Sequence, residues 1–130
     1  DSVNFECCKT ASPAHEFCYK HQCYETTRQV VEYLGIEPHQ HFVSFQSRLA
    51  GDPWLQPYTD KMLEKYPNEG VKKLAVVTPA FVSDCLETLE EIAMEGKEEF
   101  LKAGGENFYA IPCINDNDDW VDVLVNWMEA

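Results

Sequence analysis

Asp84, Glu87, Glu91 and Glu95, continued by Glu98, recur at three- to four-residue spacing just behind the apolar run Leu74-Ala75-Val76-Val77. The run reads as a buried parallel strand, and Pro79 turns the chain into a helix. At about 100° per residue the acids share one helix face, with Leu86, Leu89, Ala93 and Phe100 opposite. In open α/β sheets, sites form beyond the carboxyl ends of strands, where loops enter helices. A row of carboxylates therefore stands where chemistry is expected, and Glu87 is expected to face a concavity at that edge. A charged face turned to water explains the same spacing, and so does a capping box with Asp84 at the N-cap and Glu87 three residues on. Pattern alone leaves both readings open.

Two further segments reach the same edge. In Phe45–Asp60 (FQSRLAGDPWLQPYTD), Gln46, Ser47 and Arg48 end a strand, and Trp54, Leu55, Pro57 and Tyr58 add aromatic and apolar bulk. A flat apolar ligand with anionic groups suits that mixture, stacked on Trp54 and paired with Arg48. A core-capping Trp54 and an ion-paired Arg48 are the plainer alternative. In Ile111–Asp118 (IPCINDND), Asn115 and Asp116 are N-cap candidates. Cys85 and Cys113 read as buried apolar thiols and not as ligands.

Of six cysteines, Cys7, Cys8, Cys18 and Cys23 crowd into the first quarter of the chain. Thiols of this density suit tetrahedral zinc or an iron–sulfur cluster. On one continuous helix Cys18 and Cys23 would diverge, so a shared centre requires non-helical chain at Cys18.

The elements that must position these groups alternate. Ser12 and Pro13 open a helix closed by Gly35. His41–Gln46 is a strand, and Pro57 starts a helix that Pro67 ends near Tyr66. Lys73–Thr78 is a strand, Asp84 to about Ala103 a helix broken by Gly104-Gly105. Phe108–Pro112 is a strand, and Asp118–Met128 a helix with Trp120, Val123, Leu124 and Trp127 inward. Strands alternating with helices imply an α/β fold, a three-layer αβα parallel sheet. Three strands led by a helix look incomplete, and a chain starting at Asp1 without Met reads as a piece of a longer one. Residues 1–13 are expected to lead into the cysteine region, and 14–130 to form the domain.

At 130 residues one domain can bury roughly 65–70% of its unfolded surface without staples. Net charge is −13, and residues 84–130 hold 13 acids against Lys97 and Lys102 only. Such a surface repels phosphate, which excludes nucleic acid and anionic membranes as partners. There is no run near the roughly 18 apolar residues of a membrane span. Cysteine usage outside a secreted disulfide framework implies a reducing cytoplasm.

From about Tyr19 onward, VSFQSRLAGDPWLQPYTDKML and GVKKLAVVTPAFVSDCLETLEEIAMEGKEEFLKAGGENFYAIPCIND resemble the C-terminal half of a ferrochelatase, matching in order over more than 100 residues. The resemblance implies one of two chelatase-like halves with a porphyrin cleft between them. It implies a lyase that inserts ferrous iron into protoporphyrin in haem biosynthesis, with loss of two pyrrole protons. Glu87 matches the family's active-site carboxylate and its iron ligand. Glu91 and Glu95 match acidic positions running along a helix with a π-type widening. Ser47 and Trp54 match porphyrin-pocket positions, joined here by Arg48 and Tyr58 as substrate-binding candidates. Cys85 stands where many relatives have His. The family's catalytic His has no counterpart among His15, His21, His39 and His41, so the chain is expected to lack its N-terminal partner half, to be inactive alone, and to self-associate. Cys7, Cys8, Cys18 and Cys23 resemble the ligands of a two-iron two-sulfur cluster in some bacterial members. The alternative is a cysteine-ligated metal or iron–sulfur module without chelatase activity, which leaves FQSR and SDCLETLEE unexplained. A receiver or flavodoxin-like domain would need an acidic or phosphate-binding loop after a first strand that is absent.

Overall fold

The computed structural model describes residues 7–46 and 53–130. Short 3-10 turns at Cys7–Lys9 and Pro13–Phe17 precede α1, Tyr19–Leu34. Ser12 Oγ accepts from Ala14 N at 3.3 Å, and Pro13 takes the first helical position as its fixed φ allows. Helical winding then stops at Cys18, whose φ of −93° and ψ of 107° are extended. The single helix expected from Ser12 to Gly35 is therefore two pieces with Cys18 at the joint. Gly35, at φ 65°, ends α1, with Ile36 N bonded to Val31 O at 3.0 Å.

The strand expected over His41–Gln46 reduces to one parallel bridge, Phe45 to Tyr58. Phe45 N donates to Pro57 O at 2.9 Å and Thr59 N to Phe45 O at 3.1 Å. Those bonds, to Pro57 O and from Thr59 N, hold Tyr58 between them extended at φ −77° and ψ 137°, so α2 begins at Thr59 and not at Pro57. It runs to Asn68, with the buried Pro67 accommodated in its last turn.

β1 (Lys73–Val76) and β2 (Asn107–Ala110) pair in parallel, Lys73 against Asn107 and Val76 against Ala110. Both are shorter than their apolar runs. Between them the chain crosses over through a π-helix, Glu87–Gly96, and α3, Lys97–Lys102, as a parallel pair requires. Leu63, Ile92, Phe100 and Phe108 form the core, with Leu74, Val76 and Ala110 packed on it. Lys72 Nζ donates to Gly104 O at 2.8 Å and to Pro67 O at 3.2 Å, tying the end of α2 to the turn after α3. The architecture is α/β with a small parallel sheet, two-stranded among the described residues.

α4 spans Asp118–Glu129. Its cap is Asn117, whose Oδ1 accepts from Asp119 N at 3.0 Å, and not Asn115 or Asp116. Its apolar side is not inward as the periodicity suggests. Every residue from Val121 onward is exposed, Trp127 at 68%, because no described element covers that face.

Gly105 packs against the centre of the core. A Cβ built there would lie 2.1 Å from Phe100 Cε1, and Phe100 is fully buried. Gly105→Ala is expected to cost about 1–3 kcal/mol by overpacking, read as a lower urea midpoint with an unchanged slope. A variant as stable as the parent would contradict this packing.

Candidate functional site

The acidic helix is wound differently from the α-helix that the spacing predicts. From Glu87 to Gly96 it is a π-helix, the widening that bulges at functional sites share. The buried residues Thr88, Ile92, Gly96 and Phe100 fall every four positions. One residue earlier at each step stand Glu87, Glu91, Glu95 and Glu99. Leu86 and Leu89, expected on the core side, are 72% and 53% exposed, because i→i+5 winding changes the phase of the buried face. Glu98 leaves the row as well and pairs with Lys102 at 2.8 Å. Glu99 takes its place in register, and the strict four-residue spacing 87–91–95–99 is the signal that sequence reasoning passed over.

Asp84 fixes the start of this helix. Its Oδ1 accepts from Thr88 Oγ1 at 2.9 Å and, more weakly, from Cys113 N at 3.4 Å. Its Oδ2 accepts from Asn115 Nδ2 at 2.8 Å, and its own N–H donates to Asn115 Oδ1 at 2.8 Å. Thr88 Oγ1 accepts in turn from Cys85 N at 3.0 Å. The capping box expected of Asp84 and Glu87 is thus replaced by contacts to the loop after β2. Asp84 lies one residue too early to cap a helix entered at Leu86.

Glu87 is half-buried, and Gln46 Nε2 donates to its backbone oxygen at 3.1 Å. Trp54 Nε1 donates to Gln46 O at 2.9 Å. Gln46, Trp54 and Glu87, far apart in sequence, therefore meet, with the Trp54 ring 42% exposed beside them. Tyr58 is held through its backbone bridge to Phe45. Ser47 and Arg48 lie outside the described residues. The concavity between the strand ends and the π-helix is lined by Thr78, Asp84, Thr88 and Pro112 among others. Glu87 is not in that lining; its backbone oxygen meets Gln46 and its carboxylate the Cys85 thiol.

The row's carboxylates differ in proton affinity. A hydrogen bond from the Cys85 thiol, then the local backbone N–H, holds Glu87 below the usual carboxylate range. Burial, then the charges of Glu87, Glu95 and Glu90, pushes Glu91 above it. The two neighbouring carboxyls are thus pushed apart in proton affinity.

At the other end of the chain, Cys7, Cys8 and Cys18 share a neighbourhood. The Cys8 thiol is pushed up by burial first and then by its hydrogen bond with Cys7, with Cys18 also adding to the rise. His15 stacks on His21 at 4.0 Å and its Nε2 lies 3.0 Å from Cys7 O. Cys23 is turned to Tyr19 one turn into α1. Among the described residues no three of these side chains gather around one metal position. The four thiols do not form a ligand shell as they stand.

Residues 7–130 match the family model described as Ferrochelatase. The chain is 52% identical over 129 residues to the ferrochelatase of Opitutus terrae, covering 96% of this chain and 37% of that protein. It is 50% identical over 120 residues to that of Ectopseudomonas mendocina, at 92% and 35% coverage. To that of Vibrio parahaemolyticus it is 54% identical over 112 residues, at 86% and 35%. An α/β chain with an acidic π-helix at the strand ends, matched in this way along nearly its whole length, belongs to the ferrochelatase family. It spans a little over a third of the length of these relatives.

The Asp84 carboxyl is held below its ordinary value by the Asn115 amide first and the Thr88 hydroxyl second. Its contribution to stability is therefore full above the unfolded value of about 3.9 and is lost as pH falls through the lower folded value. The stability gap between the native chain and Asp84→Asn should be widest above about pH 4 and close below it. A gap independent of pH, followed by chemical denaturation, would contradict this assignment.

Proposed function

We propose that this chain supplies the acidic-helix side of a site that inserts ferrous iron into protoporphyrin, the haem-forming lyase reaction of its relatives. The observation that carries the reading is the carboxylate row of the π-helix, which begins beside Gln46 and Trp54. In the reaction Fe²⁺ forms four bonds to the pyrrole nitrogens, and two N–H protons leave to base. Glu87, kept anionic, attracts the incoming cation and ligates it as substrate. Glu91, with its raised proton affinity, takes up one released proton and passes it to Glu95 along the helix, and the second proton leaves to a base on the side of the cleft that this chain does not supply. Trp54 offers a ring face for stacking. Tyr58 is a further candidate contact, and the family resemblance suggests Ser47 and Arg48 as porphyrin contacts, Arg48 pairing with an anionic edge of the macrocycle. The family's histidine base and the other wall of the cleft belong to the part of the relatives' length that this chain does not span.

The sheet is proposed to be part of a three-layer αβα unit. Parallel sheets are covered on both faces, yet Tyr109 and Val77 are largely exposed here, as is the apolar side of α4. Those faces await the remaining chain or, in isolation, a second copy. A cytoplasmic setting fits six unpaired thiols, and no helix among the described residues is long and apolar enough to cross a membrane. A two-iron two-sulfur cluster on Cys7, Cys8, Cys18 and Cys23 is proposed on the family resemblance. It is supported by the extended Cys18, which frees that thiol from the helix, and it requires Cys23 to leave Tyr19.

Two measurements test these readings. In the Opitutus terrae relative with its matching segment replaced by this chain, Glu87→Gln should lower the turnover of iron insertion by about 10²–10⁴-fold with folding retained. Turnover near the parent's would remove Glu87 from the mechanism. Anaerobic reconstitution of the same protein with iron and sulfide should give visible cluster absorption that Cys18→Ser and Cys23→Ser each abolish. Absorption unchanged in those variants would refute the ligand set.

A further inference from the structure

We propose that Asn115 is a positioning residue for Glu87, acting through a reciprocal amide–carboxylate clamp on Asp84; the proposal rests on the reading of Glu87 given above. Asn115 sits just past β2 with φ 54°, a left-handed conformation that Asn tolerates better than most residues. That turn aims its carboxamide back at the loop after β1. Three hydrogen bonds follow from this one residue. Its Oδ1 accepts from Asp84 N at 2.8 Å, its Nδ2 donates to Asp84 Oδ2 at 2.8 Å, and its backbone N–H donates to Val82 O at 2.9 Å.

The clamp leaves the second Asp84 oxygen facing Thr88, and Thr88 Oγ1 holds Cys85 N. Thr88 is 5% exposed, so it has little freedom to settle elsewhere. Glu87 lies between Cys85 and Thr88 in the chain. Its carboxylate meets the Cys85 thiol, and its backbone oxygen meets Gln46. The rotation of the first π turn, and with it the direction of the Glu87 carboxylate, is thus set from the loop after β2. Asn115 touches no reacting atom in this scheme. It acts only through Asp84 and Thr88.

The geometry permits a test by exchange. In the double variant Asp84→Asn with Asn115→Asp, every one of these bonds can be remade. The new amide at position 84 donates to the carboxylate at 115 and still accepts from Thr88 and Cys113. The carboxylate at 115 still accepts from the backbone N–H of residue 84. Net charge is unchanged. Asn115→Asp alone sets two carboxylates face to face, and Asp84→Asn alone loses an acceptor.

The measurement is iron insertion in the Opitutus terrae relative carrying this segment, with turnover and the porphyrin KM determined separately. Each single variant is expected to lose about 10- to 100-fold in kcat, the scale of a displaced catalytic group, with KM within about twofold as expected when only a transition-state interaction is lost. The exchanged double variant is expected to return to within about threefold of the parent kcat, since its bonding is restored. Single variants with parental kcat would overturn the proposal. So would a folded double variant no faster than the singles, which would instead give the Asp84 carboxylate a role of its own, and so would a double variant that does not fold, since the exchanged pair would then not remake these bonds. Glu87→Gln measured alongside separates the two levels. If it retains turnover, the reading of Glu87 fails; if it loses turnover while the exchange fails, only the clamp is wrong.

Discussion

Much of this structure hangs on the Asp84 carboxylate, which receives hydrogen bonds from the π-helix and from the loop after β2 at once. A carboxylate accepting several donors is strongly held, since charge-assisted bonds are about twice as strong as neutral ones. It joins the two strand-end loops that flank the parallel pair. The crossover between β1 and β2 is also anchored by Ile92 and Phe100 in the core, and Asp84 ties its entry. With Asp84 in place, the helix that follows has one entry angle. Gln46 then approaches the same turn from the third segment.

The π winding does the next part of the work. Because the buried positions follow at intervals of four, each acid of the row sits one residue before a core anchor, at Thr88, Ile92, Gly96 and Phe100. A carboxylate beside a buried residue is partly desolvated, while its like-charged neighbours stand one turn away. Both effects raise proton affinity, as they do at Glu91. Glu87 escapes that rise through donors at its own end of the helix. The same backbone distortion therefore aligns the acids, while Glu87 and Glu91 differ in proton affinity.

The sequence made the parallel α/β order legible, because apolar runs alternate with amphipathic ones and no hairpin turn intervenes. Gly35 and Gly104-Gly105 marked their helix ends correctly. The extended joint at Cys18 was a condition that the cysteine spacing itself imposed. What spacing could not reveal was the phase of the π-helix, since a 3.6-residue period was assumed, and so Leu86 and Leu89 went to the wrong face and Glu98 displaced Glu99. The strand at His41–Gln46 shrank because its partners are Pro57 and Thr59, a pairing that no local signal announces. Asn115 read as a cap because Asn at a strand-to-helix junction usually is one. Its engagement with Asp84, 31 residues away in sequence, lies beyond any local pattern. The four early cysteines were legible as a group but not in their individual contacts, where Cys23 meets Tyr19.

The π-helix row, and not acidic charge in general, is the face proposed to present the cation. α4 provides an internal control, since Asp118, Asp119 and Asp122 also crowd three acids into one helix start. Titrating the chain with substoichiometric Mn²⁺ at neutral pH, and following paramagnetic broadening of its backbone amide resonances, separates the two. Signals from Glu87 to Glu95 are expected to broaden first, and Glu87→Gln with Glu91→Gln is expected to remove the effect. Equal broadening at Asp118–Asp122, or broadening that persists in the double variant, would contradict that assignment.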